Sequence, residues 1–312
     1  MRVGLGTAIL AATAAILAAE YLRARRAALP AHGWLGLAAL AGVHYLGFRG
    51  VEPVATYLTP LAWTSYILLT DAMVFALRGR SRLVSAPKQF AQMALLSIPL
   101  WLVFEAYNLR LENWRYVGLP ENLAARWLGY AWSFATITPA IFVTADLIRA
   151  LGWWSAPVRP VVVFPRAHRW WVLAGAAMLL APLAAPRAWA GYLFAPVWLG
   201  FIFLLEPWNA RRGLPSVLRD LALGRRDRVY AFLAAGWVCG WLWEFWNWWA
   251  AARWEYTFPM FQQWKIFAMP APGYGGFPPF ALECFVMYVA AAGALGWLRP
   301  GQADSLDGTL WG

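Results

Sequence analysis

Nine apolar runs, at about residues 3–21, 33–49, 54–77, 90–109, 127–150, 170–186, 188–206, 229–251 and 279–298, make up most of this 312-residue chain. An α-helix needs roughly 20 such residues to cross the hydrocarbon of a bilayer. Backbone polar groups there must be satisfied internally, so a run of this length predicts a helix. The chain is 62% hydrophobic and only 13% charged, which is too apolar for a soluble domain of this size. The expected fold class is all-α, a polytopic membrane helix bundle with about nine transmembrane helices.

The net charge of +11 is explained by where the charges lie and carries no nucleic-acid signal. Arg23, Arg25 and Arg26 follow the first run, and Arg78, Arg80, Arg82 and Lys88 the third. Arg159, Arg166 and Arg169 follow the fifth; Arg211, Arg212, Arg219, Arg225, Arg226 and Arg228 follow the seventh. With nine spans these loops fall on one side, which the positive-inside rule makes cytoplasmic. The expected location is a prokaryotic inner or plasma membrane, N-terminus outside and C-terminus cytoplasmic. Met1 to Ala19 has the look of a cleaved signal peptide, but the arginines behind it fit a retained helix better.

A pattern occurs twice. Glu105-Ala-Tyr-Asn108 is followed by Trp114-Arg-Tyr116, and Glu244-Phe-Trp-Asn247 by Trp254-Glu-Tyr256. The likeness extends outward. Thr56 to Trp63 matches Gly191 to Trp198 at an offset of 135 residues, which also sets Asp71 on Glu206. The acids and Asn match at 139, and Trp114, Tyr116 and Pro139 fall on Trp254, Tyr256 and Pro279 at 140. The expected division is an N-terminal helix (1–28), a four-helix repeat (29–152) and a second (153–299), ending in a cytoplasmic tail (300–312). An even number of spans per repeat makes the two halves parallel.

Each copy carries a carboxylate at the end of an apolar run. At 1.5 Å per residue Glu105 and Glu244 lie roughly 22 Å from the cytoplasmic side, in the outer part of a core about 30 Å thick. Glu283 starts from the other side and lies roughly 6 Å below the outer surface. The three are expected to meet around one dry chamber. The counterpart of Glu283 in the first half is Val143, which points to one working site rather than two. A carboxylate in hydrocarbon costs several kcal/mol when ionised and marks function by default; the structural alternative is a polar network that locks the halves together. Asn108 and Asn247, three residues on, share a helical face with the acids and are expected to orient them. Trp114, Tyr116, Trp254 and Tyr256 are expected to line the pocket, since aromatic faces stabilise a carbocation or hold a prenyl chain. Most of the 23 Trp read as interfacial belt.

The stretch 257–279 is rich in Pro and Gly and predicts an external cap or re-entrant loop over the site, with Lys265 as an anion contact. Asp71 and Glu206 read as members of an interfacial ion-pair cluster with Arg78, Arg80, Arg211 and Arg212, or as a second, headgroup-binding site. His32, His44 and His168 share no depth for haem ligation. Cys239 and Cys284 read as packing residues. Position 108 is Asn where a dimetal Glu-x-x-His site would want His, so neither metal nor cofactor is expected.

The order of an acid, a Trp-x-aromatic pair and a Pro-led helix carrying Glu resembles the small membrane-type lycopene cyclases of bacteria, archaea and fungi, heterodimeric or fused. Those have repeated helical halves and a Pro-x-Glu-Glu-x-x-Phe-Phe helix. The comparable stretch here is Pro279-Phe280-Ala281-Leu282-Glu283-Cys284-Phe285. It keeps one Glu of the pair, farther from the proline, and the first half lacks it. The resemblance covers roughly the second half of each repeat. It implies acid chemistry on an isoprenoid alkene without metal.

The leading expectation is a membrane enzyme acting on an isoprenoid or other lipid, with Glu244 and Glu283 as acid and base and Glu105 sharing the proton. Two other classes fit the same residues. One is a non-catalytic lipid-, quinone- or pigment-binding subunit of a larger membrane complex. The other is a proton-coupled carrier or lipid transporter, against which the lack of clear mid-span Gly/Pro breaks speaks.

Overall fold

The computed structural model describes residues 2–161 and 167–301; Arg166 and the tail residues 302–312 lie outside them. Helix α1 (Val3–Ala24) comes first. Then follow α2 (Ala31–Gly47), α3 (Leu58–Arg78), the one-turn α4 (Arg82–Ser85), α5 (Pro87–Leu111), strand β1 (Trp114–Val117) and α6 (Leu123–Ala150). Next come α7 (His168–Ala184), the one-turn α8 (Arg187–Ala190), α9 (Phe194–Arg211), α10 (Val217–Ala222), α11 (Asp227–Trp249), β2 (Arg253–Tyr256), the hairpin β3 (Lys265–Ile266) and β4 (Met269–Pro270), and α12 (Phe277–Ala294).

Nine helices of 17 residues or more stand among the described residues. Five segments are long and apolar enough to cross a membrane: α1, α3, α5, α6, and Ala271–Ala294, which joins a 3₁₀ turn to α12. The molecule is thus a helical membrane protein. The 17-residue helices α2 and α7 rise only about 25 Å. The fold is all-helical as expected, with two short antiparallel ladders besides, β1 with β2 and β3 with β4.

Packing follows the same plan in both halves. Helix α2 lies on α3, α3 on α6 and α5 on α6; likewise α7 lies on α9, α9 on α12 and α11 on α12. Close approach of the first pair in each set requires a residue without Cβ. A Cβ on Gly36 would come within 2.7 Å of the Leu69 nitrogen and 2.8 Å of the Ser65 carbonyl. One on Gly175 would come within 2.5 Å of the Leu204 nitrogen and 2.7 Å of the Gly200 carbonyl. The halves join where α11 packs on α6 and α12 on α5.

Helices α5, α6, α7 and α9 run continuously past Pro99, Pro139, Pro182 and Pro207. In α6 the Ser97 hydroxyl fills the opened rung. It accepts from the Thr138 N–H at 3.0 Å and donates to the Phe134 carbonyl at 2.5 Å. A side chain inserted in this way satisfies groups that a proline disturbs.

One end of the bundle collects the arginines. Arg82 pairs with Asp146 at 2.5 Å, Arg149 with Asp227 at 2.7 Å and Arg228 with Asp220 at 3.0 Å. These pairs tie α4 to the end of α6, the end of α6 to the start of α11, and α11 to α10. Asp71 and Glu206 do not join them as expected. Asp71 accepts from the Ser81 hydroxyl at 2.5 Å and the Leu83 N–H at 3.0 Å. Glu206 accepts from the Ser216 hydroxyl at 2.6 Å and the Leu218 N–H at 2.9 Å. Each acid anchors the short helix that follows its own span, since the first N–H groups of a helix lack intrahelical partners.

Candidate functional site: an aromatic cavity with two tyrosine–carboxyl pairs

Opposite the arginine-rich end, β1 and β2 clasp the two halves. Trp114 faces Tyr256, Arg115 faces Glu255, Tyr116 faces Trp254 and Val117 faces Arg253. Side chains alternate across a strand, so Trp114, Tyr116, Trp254 and Tyr256 share one face. All four line a cavity of about 140 Å³. Its other walls include Trp63 of α3, Trp101 of α5, Phe134 and Ile137 of α6, Trp198 of α9, Trp243 of α11, and Phe277 and Phe280 of α12.

Asn108 and Asn247 seat these strands and do not orient the acids, which corrects the expectation. The Asn247 amide donates to the Trp254 carbonyl at 2.9 Å and accepts from its N–H at 2.8 Å. Asn108 donates to the Trp114 carbonyl at 2.8 Å and accepts from the N–H groups of Asn113 and Trp114 at 2.8 and 3.2 Å. Each side chain imitates a peptide, fixing the chain as it leaves its helix.

The carboxyls stand behind the tyrosines. Tyr116 donates to Glu105 Oε1 at 2.5 Å, and the indoles of Trp101 and Trp114 reach the same oxygen at 2.8 and 3.3 Å. Tyr256 donates to Glu244 Oε1 at 2.7 Å and itself accepts from the Trp254 indole at 3.0 Å. Glu105 is half-buried; Glu244 is fully buried, with no partner for Oε2. None of Glu105, Glu244 and Glu283 lines the cavity. Tyr116 and Tyr256, which line it, hydrogen-bond to Glu105 and Glu244, which do not. Burial raises the phenols of both Tyr116 and Tyr256, and the adjoining carboxyls add to it. A neutral phenol that donates one hydrogen bond and can accept another is a proton relay.

Glu283 does not join this arrangement. It is fully buried on α12 and accepts from the Phe201 N–H of α9 at 3.0 Å, and Oε2 has no partner. It ties two helices of the second half together.

The 257–279 segment folds as a cap against the protein. Tyr274 stacks on Trp241 with ring centroids 3.9 Å apart and donates to the Ile266 carbonyl at 3.0 Å. Phe267 is fully buried against Gly6 of α1. Lys265 lines a second, more polar cavity of about 790 Å³, which shares only Arg253, Trp254 and Tyr256 with the first.

Of the histidines, His44 accepts from the Trp246 indole at 2.7 Å, and His32 lies 3.4 Å from Asp71. No group of three or more His, Cys, Asp or Glu side chains is placed to hold a metal ion among the described residues. Comparisons with protein-family models, with curated proteins and with solved structures find no match for the chain.

Proposed function

We propose that this chain is an integral-membrane enzyme that moves protons on an isoprenoid or other unsaturated lipid held in the aromatic cavity. The observation that carries the reading is the pair Tyr116 and Tyr256 in a cavity rich in aromatic side chains, each hydrogen-bonded to a carboxyl behind it. An apolar cavity of about 150 Å³ stays dry and accepts a benzene-sized guest. One of about 140 Å³ is matched to the reacting unit of a longer chain, the rest of which extends outside.

Hydrogen bonding divides the roles. Three donors on one oxygen of Glu105 suit a carboxylate, and hence the base. Glu244, fully buried with no hydrogen-bond partner for Oε2, suits a neutral carboxylic acid, and hence the proton source. With its hydroxyl turned from Glu244 Oε1 toward the substrate, Tyr256 gives its proton to one alkene carbon, and the Glu244 carboxylic acid returns a proton to the Tyr256 oxygen. The π pair forms the new C–H bond and the neighbouring carbon becomes cationic. The faces of the lining tryptophans stabilise that cation. Tyr116, backed by Glu105, then takes a proton from an adjoining carbon, and its bonding pair becomes the new double bond. The sum is an isomerisation, or a cyclisation when a second alkene attacks the cation first. Half-buried Glu105 and the polar cavity beside Tyr256 restore the two protonation states by exchange with water. Glu283, bonded to α9, serves as a positioning group in this scheme.

The same reading takes all nine long helices as spans, with α2–α6 and α7–α12 as parallel copies of one unit and α1 added. The matched Gly36 and Gly175 contacts, the matched Asp71 and Glu206 anchors and the matched Asn108 and Asn247 ladders support it. The arginine-rich end would face the cytoplasm, with the N-terminus outside.

The test is deuterium uptake. Membranes holding the protein are incubated in D₂O with the host's isoprenoid lipids, which are then analysed by mass spectrometry. The expected result is an isomer carrying one added deuterium, absent with Glu244→Gln and with Tyr256→Phe. Identical lipids with and without the protein would overturn the proposal.

A further inference from the structure

Two charged residues line the aromatic cavity, Arg126 and Arg253, and no carboxylate lines it. Arg126 lies in the first turn of α6 and Arg253 opens β2, four residues past α11. Both therefore stand at the clasped end, while Trp63, Trp243 and Phe280 come from within the helices. Neither arginine is tightly neutralised. Arg126 donates through Nε to the Pro120 carbonyl at 3.0 Å, which leaves the two terminal nitrogens of its fork. Arg253 approaches Glu255 only to 3.8 Å, and that carboxylate is held at 3.0 Å by Arg115.

We infer that the natural ligand is an amphiphile with an anionic head of the phosphate class, held by Arg126 and Arg253, its first isoprenoid units lying among the aromatic side chains. The inference rests on the lipid-binding reading above and narrows its substrate class. Arginine is suited to this role because its planar fork matches phosphate oxygens two at a time. A neutral hydrocarbon offers these two cations no anion, whereas an anionic head placed at the level of lipid headgroups engages both without burying a charge in the membrane.

The probes are geranyl phosphate and geraniol, titrated against the full chain in a neutral maltoside detergent. Binding is read from the fluorescence of the six tryptophans that line the cavity. Geranyl phosphate is expected to bind about tenfold more tightly than geraniol, the advantage of a charge-assisted contact. Arg126→Gln and Arg253→Gln should each bring the two affinities closer together, and continued geraniol binding reports that the variants fold. Arg253→Lys should keep part of it. Equal affinity for the two probes in the wild-type chain, or a preference that survives in both Gln variants, would overturn the inference and leave the cavity reading intact. Failure of both probes to bind would instead remove the cavity reading, and this inference with it. The titration is then repeated in phosphatidylcholine nanodiscs with and without phosphatidylglycerol. Competition by the anionic lipid identifies a bilayer headgroup as the occupant, and lack of competition a free prenyl phosphate; either result keeps the anion site.

Discussion

Replacing Asn247 by Ala isolates what seats β2 against its helix. Asn247 is fully buried in the last turn of α11. It exchanges two hydrogen bonds of 2.8 and 2.9 Å with the Trp254 peptide. A typical hydrogen bond contributes about 1 kcal/mol net, and a buried group left without its partner costs about 1–3 kcal/mol. Two bonds go in Asn247→Ala, so the loss is about 2–4 kcal/mol. Asn108→Ala removes equivalent bonds at β1, but Asn108 is only half-buried, and water can take its place. Its cost is about 1–2 kcal/mol. The measurement is unfolding by sodium dodecyl sulfate in mixed micelles, followed by tryptophan fluorescence, with both variants and wild type in one detergent series. If Asn247→Ala stays within about 0.5 kcal/mol of wild type, or if Asn108→Ala proves the costlier, the amide does not seat the strand and the reasoning fails.

In the same assay Gly236→Ala should destabilise by about 1–3 kcal/mol, because its Cβ would meet the Phe277 carbonyl oxygen and Pro278 backbone, which cannot swing aside. Gly42→Ala, with nothing within 4 Å, should be neutral or slightly stabilising. Arg82→Ala strands the buried Asp146 and is expected to cost about 3–5 kcal/mol; Arg115→Ala, at an ion pair whose arginine is 68% exposed, is expected to cost less than about 1 kcal/mol. Ser81→Ala should cost about 1 kcal/mol, since it removes one hydrogen bond from the acid that anchors its short helix; Ser216→Ala should cost about 1–2 kcal/mol, since it removes both the bond to Glu206 and the cap bond from the Arg219 N–H at 3.2 Å.

The helices were legible because apolar run length reports them directly, and each of the nine runs contains or overlaps one long helix. The Trp-x-Tyr spacing placed Trp114, Tyr116, Trp254 and Tyr256 near the acids. The same spacing is a period-two signal, and it could have revealed the strands that pair the halves. Strands of four residues leave little else to read. The partners of Asn108 and Asn247 were not legible, because helical spacing sets which residues share a face and leaves open whether an amide turns to a carboxyl or to the next peptide. For Asp71 and Glu206 a signal did exist. Each precedes a serine by ten residues, Ser81 and Ser216, and that serine starts the helix the acid anchors. The ion pairs of Asp146, Asp220 and Asp227 are contacts between segments distant in sequence, and nothing local announces them.

The two halves differ most where they match in length. At the offset of 140 that relates Trp114 to Trp254 and Pro139 to Pro279, residues 257–276 stand opposite 117–136. The first-half stretch turns through Pro120 and then runs as α6, capped by the Asn122 side chain, which accepts from the Ala125 N–H at 3.0 Å. The second-half stretch contains Pro259, Pro270, Pro272, Gly273, Gly275 and Gly276, which a helix interior tolerates poorly. It folds instead as the β3–β4 hairpin and a 3₁₀ turn. The two acids feel this difference. The helix supplies Arg126, Tyr130, Phe134 and Ile137 to the cavity wall and leaves Glu105 half-buried among three donors. The hairpin brings Lys265, Met269 and Tyr274 close to Glu244, which is fully buried with no hydrogen-bond partner for Oε2. The matched Glu105 and Glu244 thus sit in unlike surroundings, and the fold of this one stretch, residues 257–276 against 117–136, accounts for the contrast. Under the proton-transfer reading proposed above, such a contrast is what separates an acid from a base.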